Sequence, residues 1–191
     1  SVSKYSPGHV VYMPPAFGIE KSKQFGRFYF NLPKDRFLFL FIFDFKSYVF
    51  RKNPLGCIKA FQKAFSQNDK TVGLILKCLG GDQYADELLV LTRAIQGDSR
   101  INLIDAIFSS EEITGLMNVC DSFVSLHRSE GIGLSIAQSM LLGKPVIATN
   151  YSGNTDFTKH DNSCLVDYNL IEVKKGEYPF FKDQVWADPC I

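Results

Sequence analysis

The feature of this sequence that most restricts its fold is an alternation of short apolar runs with longer segments of helical periodicity. The apolar runs predict strands at residues 37–43, 72–79, 101–108, 123–126, 146–149 and 164–167. Helices are predicted between them at 53–65, from 82 to about 96, from 109 onward, at 131–142 and near 155–159. This order and spacing predict parallel βαβ units, and hence an α/β fold with a doubly wound, Rossmann-like parallel sheet.

Several helix ends are marked by residues that stabilise helix termini. Asn53 and Pro54 provide a cap and a first-turn proline, and Asp82 is a candidate cap for the next helix. Ser109 and Glu112 have the spacing of a capping box. Gly143 is expected to end the helix at 131–142.

The chain ends lack the regular pattern of the middle. Residues 1–32 are interpreted as an interdomain strand and linker, with the strand near residues 10–15, and residues 33–191 as one domain. No clear periodicity follows Asp167. A length of 191 residues suits one well-buried domain.

Composition narrows the class of protein. The chain has 17 phenylalanines, many of them between residues 25 and 65, and such a stretch is typical of a core. The net charge is only +1, so no global field favours nucleic acid or an anionic membrane. Five scattered cysteines without metal-ligand spacing indicate reduced thiols of a cytoplasmic protein. The longest apolar run has seven residues, which predicts no transmembrane segment.

In a doubly wound sheet, right-handed crossovers bring every strand-to-helix loop to one edge, where ligands bind. The loops to inspect are therefore 44–53, 80–82, 105–110, 127–133 and 150–156. The loop before the helix at 131–142 contains Gly131 and Gly133. Glycines at a helix start let an anion approach the unpaired amides, so a pyrophosphate fits there. A tight turn without a ligand explains the same glycines.

The run from Glu130 to Asn154 closely resembles the signature of a large family of retaining GT-B glycosyltransferases, which includes many bacterial cell-surface mannosyl- and glucosyltransferases. The resemblance extends from about residue 8 to 189. It includes segments 43–54 and 122–128 and the Trp-Ala-Asp-Pro at 186–189. It implies that the chain is the C-terminal, donor-binding half of a GT-B fold, truncated at its C-terminus, with the acceptor domain absent.

The resemblance also implies roles for individual residues. Glu130 is the expected catalytic residue that contacts the transferred sugar, and Gln138 takes the place of the second Glu of the family's Glu-x7-Glu signature as the ribose ligand. Lys52 is the expected catalytic and phosphate-binding lysine, with Arg51 or Lys46 as the second cation. The remaining implied contacts are Gly131, Ile132, Gly133 and Leu134 to the phosphates, Asp105, Ala106 and Ile107 to the base, and Ser152, Gly153 and Asn154 to the donor sugar.

Two further residues of the 127–133 loop have open roles. His127 and Arg128 are candidates for facing the phosphates, although a lone histidine in a loop also suits a structural role. No metal is expected, because no Asp-x-Asp element is placed to hold one, and the resemblance implies that lysine and helix amides replace the cation. No cofactor is implied besides the nucleoside diphosphate sugar, which is the substrate.

The implied function is retaining transfer of a hexose from a nucleoside diphosphate sugar to a hydroxyl acceptor, in cell-surface polysaccharide or lipopolysaccharide synthesis. The saccharide or lipid-linked acceptor would bind through the missing N-terminal domain, so this chain alone is expected to be inactive. A cytoplasmic location is expected, with peripheral attachment to the inner face of the membrane left open for the full-length protein.

Alternatives remain from other functional classes. A non-catalytic sugar-nucleotide-binding or partner module of the same fold is favoured by Gln138 and by the unusual 44–51 loop. A GT-B epimerase or phosphorylase half is less compatible with the Glu-Gly-x-Gly-Leu run. A dinucleotide-dependent oxidoreductase is disfavoured because no Gly-x-Gly-x-x-Gly follows the first strand.

Overall fold

The structure is a computed structural model that describes residues 8–9, 11, 13, 16–19 and 23–191. The strand expected near residues 10–15 falls largely outside the described residues. Fourteen of the 32 residues assigned to the interdomain strand and linker also fall outside the described residues.

A six-stranded parallel sheet forms the centre of the domain. Its strands run in the order β3-β2-β1-β4-β5-β6. Their bounds are β1 Phe37–Ile42, β2 Val72–Cys78, β3 Ile101–Asp105, β4 Ser122–Ser125, β5 Val146–Thr149 and β6 Cys164–Val166. The sequence order reverses direction between β1 and β4, which is the topological switch point of a doubly wound sheet. The predicted fold class is confirmed.

The described part of the chain has five α-helices. They are α1 Val49–Lys52, α2 Pro54–Ala64, α3 Ala85–Ile95, α4 Ser110–Val119 and α5 Leu134–Leu141. The predicted caps of α2 and α4 are confirmed, because Asn53 accepts from the Gly56 amide and Ser109 forms a capping box with Glu112. The predicted Asp82 cap is wrong. A 3-10 turn, Gly81–Gln83, intervenes, and α3 begins after Tyr84 without a side-chain cap.

Helix α5 begins three residues later than predicted. Gly133 has a left-handed backbone with φ 82° and ψ 44°, so the glycine loop stays outside the helix. Gly143, with φ 71°, follows its end as expected. The short helix predicted near 155–159 is wrong in position, because a 3-10 turn forms at Ser152–Asp156 instead.

The structure contains a hairpin that the sequence did not predict. Strands β7, Tyr168–Glu172, and β8, Val185–Pro189, form an antiparallel hairpin outside the main sheet. In β7, Tyr168 and Ile171 are half-buried and the other three residues are exposed. An exposed strand of this kind has little apolar alternation to reveal it.

The core lies on both faces of the sheet. Alternate residues of β1 supply the two sides: Phe39 and Phe41 pack towards α2 and α3, and Leu38 and Leu40 pack towards α4 and α5. Phe30 and Leu32 are 6% exposed and belong to the second core, so the packed domain includes residues before the boundary predicted at 33. Burial of the phenylalanine-rich segment confirms its interpretation as core.

None of the helices in the described part of the chain has the length and apolar character needed to cross a membrane.

Candidate functional site

The loops that follow β1 and β4 meet at the switch point. The Arg128 amide donates to the Arg51 carbonyl over 2.8 Å, and the Asn53 side-chain amide donates to the Leu126 carbonyl over 2.8 Å. Asn53 is 7% exposed and adopts a left-handed backbone, with φ 57°. It therefore ties the end of α1 and the start of α2 to the end of β4.

A cluster of three charges forms where these loops join. Lys52 Nζ donates to Glu130 Oε2 over 2.5 Å, and Arg51 Nη1 lies 3.7 Å from Glu130 Oε1. Arg51 is fixed in turn, because its Nη1 donates to the Ser129 carbonyl over 2.8 Å. All three side chains keep 15–17% exposure. Arg51 and Glu130 line an open cleft, and Lys52 lies beside it, bonded to Glu130.

The cations set the charge state of Glu130. Burial alone would raise the pKa of its carboxyl group, but attraction to Lys52, the hydrogen bond from Lys52 and the charge of Arg51 outweigh burial. The net pKa is lowered, so Glu130 is an anion at neutral pH.

Unpaired amides follow Glu130 directly. Within the described part of the chain, no acceptor bonds the backbone amides of residues 131–134. Gly131, Ile132 and Leu134 are exposed, whereas Gly133 is buried against Asn154, Ile136 and Phe157. The loop therefore presents donors beside two cations, which is a suitable arrangement for an anionic group.

The loop after β5 holds this segment from behind. The Glu130 amide donates to Ser152 Oγ over 2.7 Å, and the Gly153 amide donates to the Glu130 carbonyl over 2.9 Å. A Cβ on Gly153 would come within 2.0 Å of the Gly131 carbonyl oxygen, so only glycine fits. Ser152 Oγ and the Gly153 amide are thus both bonded to the backbone of Glu130.

His127 and Asn154 form a buried network behind the cleft, with both residues 0% exposed. His127 Nδ1 lies 3.0 Å from Ser125 Oγ, and Nε2 lies 3.0 Å from Asn154 Oδ1. Burial lowers the pKa of His127. The ring is therefore neutral, and the acceptors around Nε2 place the proton there.

This network changes two of the predicted roles. The Asn154 amide nitrogen donates to the Thr149 carbonyl and to Thr158 Oγ1, so the whole carboxamide is used inside the protein. In this structure the Asn154 side chain therefore has no free polar atom for a donor sugar, and the expected sugar contact stays a prediction. His127 has the structural role that was its alternative.

The open space beside Glu130 is a cleft of about 680 Å³. It is lined by Lys46, Ser47, Tyr48, Arg51, Ser129, Glu130, Gly131, Ile132, Gly133, Leu134 and Tyr178. Its cations, carboxylate and free amides face one volume at the carboxyl ends of parallel strands, as expected of a ligand site in such a sheet.

A comparison with known protein families shows which family this chain belongs to. Residues 22–174 match the family described as glycosyl transferases group 1. The chain belongs to that family. A sequence search of proteins with curated descriptions gives no match.

Several solved structures share the fold of this group 1 domain. Anabaena HepE in complex with UDP and glucose is 24% identical with a TM-score of 0.55, over 70% of this chain and 35% of that one. A glycosyltransferase from Rickettsia africae is 16% identical with a TM-score of 0.61, over 74% and 36%. TarM is 15% identical with a TM-score of 0.62, over 87% and 31%. The group 1 chain thus spans about a third of each of these structures.

Some residues predicted for the site of this glycosyltransferase domain lie outside the cleft lining. Gln138 is half-buried on the second turn of α5, and Asp105, Ala106 and Ile107 form the loop after β3. Arg128 turns away to pair with Asp188 of β8 over 2.8 Å. Of the two alternatives for the second cation, the structure brings both Arg51 and Lys46 to the cleft.

Two aromatic residues of the cleft were not predicted. Tyr48 precedes α1 with φ 63°, and its ring lies 4.8 Å from that of Tyr178. Tyr178 comes from the connection between β7 and β8, which has no periodicity in the sequence. The position of Tyr48 in the 44–53 loop was the only available signal.

The described residues of this group 1 domain contain no group of three or more His, Cys, Asp or Glu side chains that could hold a metal ion. The independence from metal implied by the sequence resemblance stays a prediction.

Proposed function

We propose that this chain is the donor-binding half of a retaining glycosyltransferase that transfers a hexose from a nucleoside diphosphate sugar to a hydroxyl acceptor in polysaccharide or lipopolysaccharide synthesis. Membership of the group 1 family supports sugar transfer. The solved complexes of HepE with UDP and with UDP-glucose support a nucleotide sugar as the ligand class. The acceptor would bind through a separate domain.

The observation that carries the proposal is the convergence of Lys52 and Arg51 on a loop whose amides have no protein acceptor. A diphosphate needs several donors and positive charge in one small volume. The cleft supplies Arg51 and the free amides of residues 131–134, and Lys52 lies beside it on Glu130. These groups would also stabilise the charge that develops on the departing nucleoside diphosphate.

Glu130 would orient the transferred sugar. An ionised carboxylate is an acceptor only, so it would bind sugar hydroxyls and not phosphate. In the free chain its partner is Lys52. A diphosphate that draws the ammonium away would leave Glu130 Oε2 free to accept from the sugar.

A second candidate is a sugar-nucleotide-binding module without catalysis. Gln138 supports it, because the side-chain amide lacks the charge-assisted strength of a carboxylate towards ribose hydroxyls. Transfer by the full-length protein from any nucleotide sugar would favour catalysis. Donor binding without transfer would favour the module.

The test is a calorimetric titration of the chain with UDP, GDP and ADP. At least one should bind saturably, and Lys52→Met should weaken its binding about 10- to 100-fold through loss of charge-assisted bonds. Lys70→Met is the matched control, since Lys70 is an exposed lysine whose Nζ donates to the Gln67 carbonyl and to Ser99 Oγ, away from the cleft lining. Absence of binding by all three nucleotides, or equal affinities of wild type and Lys52→Met, would contradict the proposal.

A further inference from the structure

Two tyrosine rings line the cleft beside Glu130, and the contacts expected of a donor do not use them. Tyr48 is 43% exposed and comes from the loop after β1, whereas Tyr178 is half-buried and comes from the connection between β7 and β8. Their ring centres lie 4.8 Å apart with the rings inclined by 66°, which is an edge-to-face pair. In such a pair one ring offers only its edge to the other, so the pair itself covers neither of its faces.

The backbone of Tyr48 is unfavourable for a tyrosine. Its φ of 63° and ψ of 103° bring the side chain too close to the backbone, and a glycine would adopt this conformation more easily. With 43% of the residue exposed, Tyr48 also gains less from burial than a core aromatic does. A ring that costs stability and stays exposed beside a cleft is typical of a ligand contact.

The groups around the two rings fit a saccharide. The same lining contains the Glu130 carboxylate, the Ser47 hydroxyl and the side chains of Lys46 and Arg51. The hydroxyl groups of a sugar both donate and accept hydrogen bonds, so they need partners of both kinds. The C–H groups on the face of a sugar ring are apolar and slightly positive, and the negative face of an aromatic ring attracts them. The lining therefore offers partners for both parts of a sugar.

The rings stand nearer the mouth of the cleft than Glu130 does. The Glu130 side chain is 15% exposed, whereas Tyr48 as a whole is 43% exposed. The loop of residues 152–154, where the donor sugar is expected, lies behind Glu130 and outside the cleft lining. A donor held by the amides of residues 131–134 and by Glu130 would therefore occupy the deep part of the cleft. An acceptor would reach that donor past the tyrosines.

We propose that Tyr48 and Tyr178 form a platform on which a sugar ring of the acceptor stacks, so that the donor-binding half contributes directly to acceptor binding. This inference rests on the proposed function and adds an acceptor subsite to it. It also gives the hairpin of β7 and β8 a role, because the connection between these strands brings Tyr178 to the cleft.

The experiment titrates methyl α-glucopyranoside and methyl α-mannopyranoside into the chain saturated with its best nucleoside diphosphate, and follows the tyrosine rings by NMR. At least one glycoside should shift the ring signals of Tyr48 and Tyr178, whereas glycerol, which has hydroxyl groups but no ring, should not. Tyr48→Gly should weaken glycoside binding about tenfold, and Tyr48→Phe should keep it within about twofold, because the face of the ring makes the contact. Phe180→Gly should bind like the wild type, since Phe180 is an exposed aromatic of the same connection outside the cleft lining.

Stability separates a ligand contact from a packing role. Tyr48→Gly should unfold at a urea concentration no lower than the wild type does, because glycine relieves the backbone strain. A Tyr48→Gly variant that unfolds at a clearly lower concentration would show that the ring serves packing, and would overturn the inference.

A third comparison separates the acceptor from the donor sugar. The ratio of the affinities for UDP-glucose and UDP, and that for GDP-mannose and GDP, should be the same in the wild type and in Tyr48→Gly. A ratio that changes would place the rings on the donor sugar and overturn the inference.

The outcomes also separate this inference from the proposed function. Ring signals that ignore both glycosides while a nucleoside diphosphate is bound overturn the inference alone. A wild type that binds no nucleoside diphosphate contradicts the proposed function and, with it, the inference.

Discussion

At the scale of single residues, the site depends on Glu130, whose carboxyl group is kept ionised by the two cations beside it. Glu130 is mostly buried, and burial opposes its negative charge. Lys52 and Arg51 reverse that effect. The same two side chains that would bind phosphate therefore keep Glu130 ionised and positioned before a ligand arrives.

Lys52→Met should raise the pKa of Glu130 above its wild-type value, since burial remains while the main opposing charge is lost. The pKa of Glu130 in the folded wild type lies below its ordinary value of 4.5. Its ion pair therefore stabilises the fold fully above that value and loses its effect as pH falls through the lowered pKa. The variant should lose about 1–3 kcal/mol of stability at neutral pH and less in acid.

A carboxyl carbon NMR titration of Glu130 measures the pKa, and urea unfolding across pH measures the stability. Lys70→Met should leave both unchanged. A Glu130 pKa in Lys52→Met equal to that of the wild type would contradict the electrostatic coupling.

At the scale of elements, Asn53 joins α1, α2 and the end of β4. It caps α2, binds the Leu126 carbonyl and holds a left-handed backbone. Lys52 precedes it directly, so the placement of the ammonium depends on this junction.

Asn53→Ala should lower the free energy of unfolding by about 2–4 kcal/mol, because it removes the cap and places a Cβ in the left-handed region. Asn53→Gly lacks the same side-chain bonds but tolerates this backbone, so it should be about 1 kcal/mol more stable than Asn53→Ala. Urea denaturation measures both variants. A glycine variant less stable than the alanine variant would show that backbone conformation is not what Asn53 provides here.

The elements that could be predicted are those that depend on interactions between residues close together in the sequence. Strands β1 to β6 are short apolar runs, and the caps Asn53 and Ser109 act within three residues. The hairpin of β7 and β8 could not be predicted, because β7 is largely exposed and therefore shows little apolar alternation. It docks through a distant contact, the pairing of Asp188 with Arg128.

The same distinction between local and distant contacts applies to the residues of the candidate site. The Glu130 and Lys52 pair follows from a resemblance of the sequence and is found together in the structure. The Asn154 side chain points into the protein, where it bonds to His127. Because His127 lies 27 residues earlier, no local sequence pattern reveals this contact. In the sequence, Lys77 interrupts an apolar strand. The structure shows that its Nζ donates to the Ala106 carbonyl, a distant contact that the sequence pattern does not reveal.

At the scale of the whole molecule, the sheet collects loops from distant parts of the chain at one edge. Segments around residues 51, 130 and 152 meet beside the switch point between β1 and β4. The net charge of the chain is only +1. Attraction of a diphosphate must therefore come from the local grouping of cations and amides, and not from the overall field.

The most direct test of this account is a crystal structure of the chain with a bound nucleoside diphosphate. We expect the phosphate oxygens within hydrogen-bond distance of the amides of residues 131–134, with Lys52 Nζ moved from Glu130 to a phosphate. Phosphates bound elsewhere on the chain, with the Lys52–Glu130 pair intact and the glycine loop empty, would contradict the account.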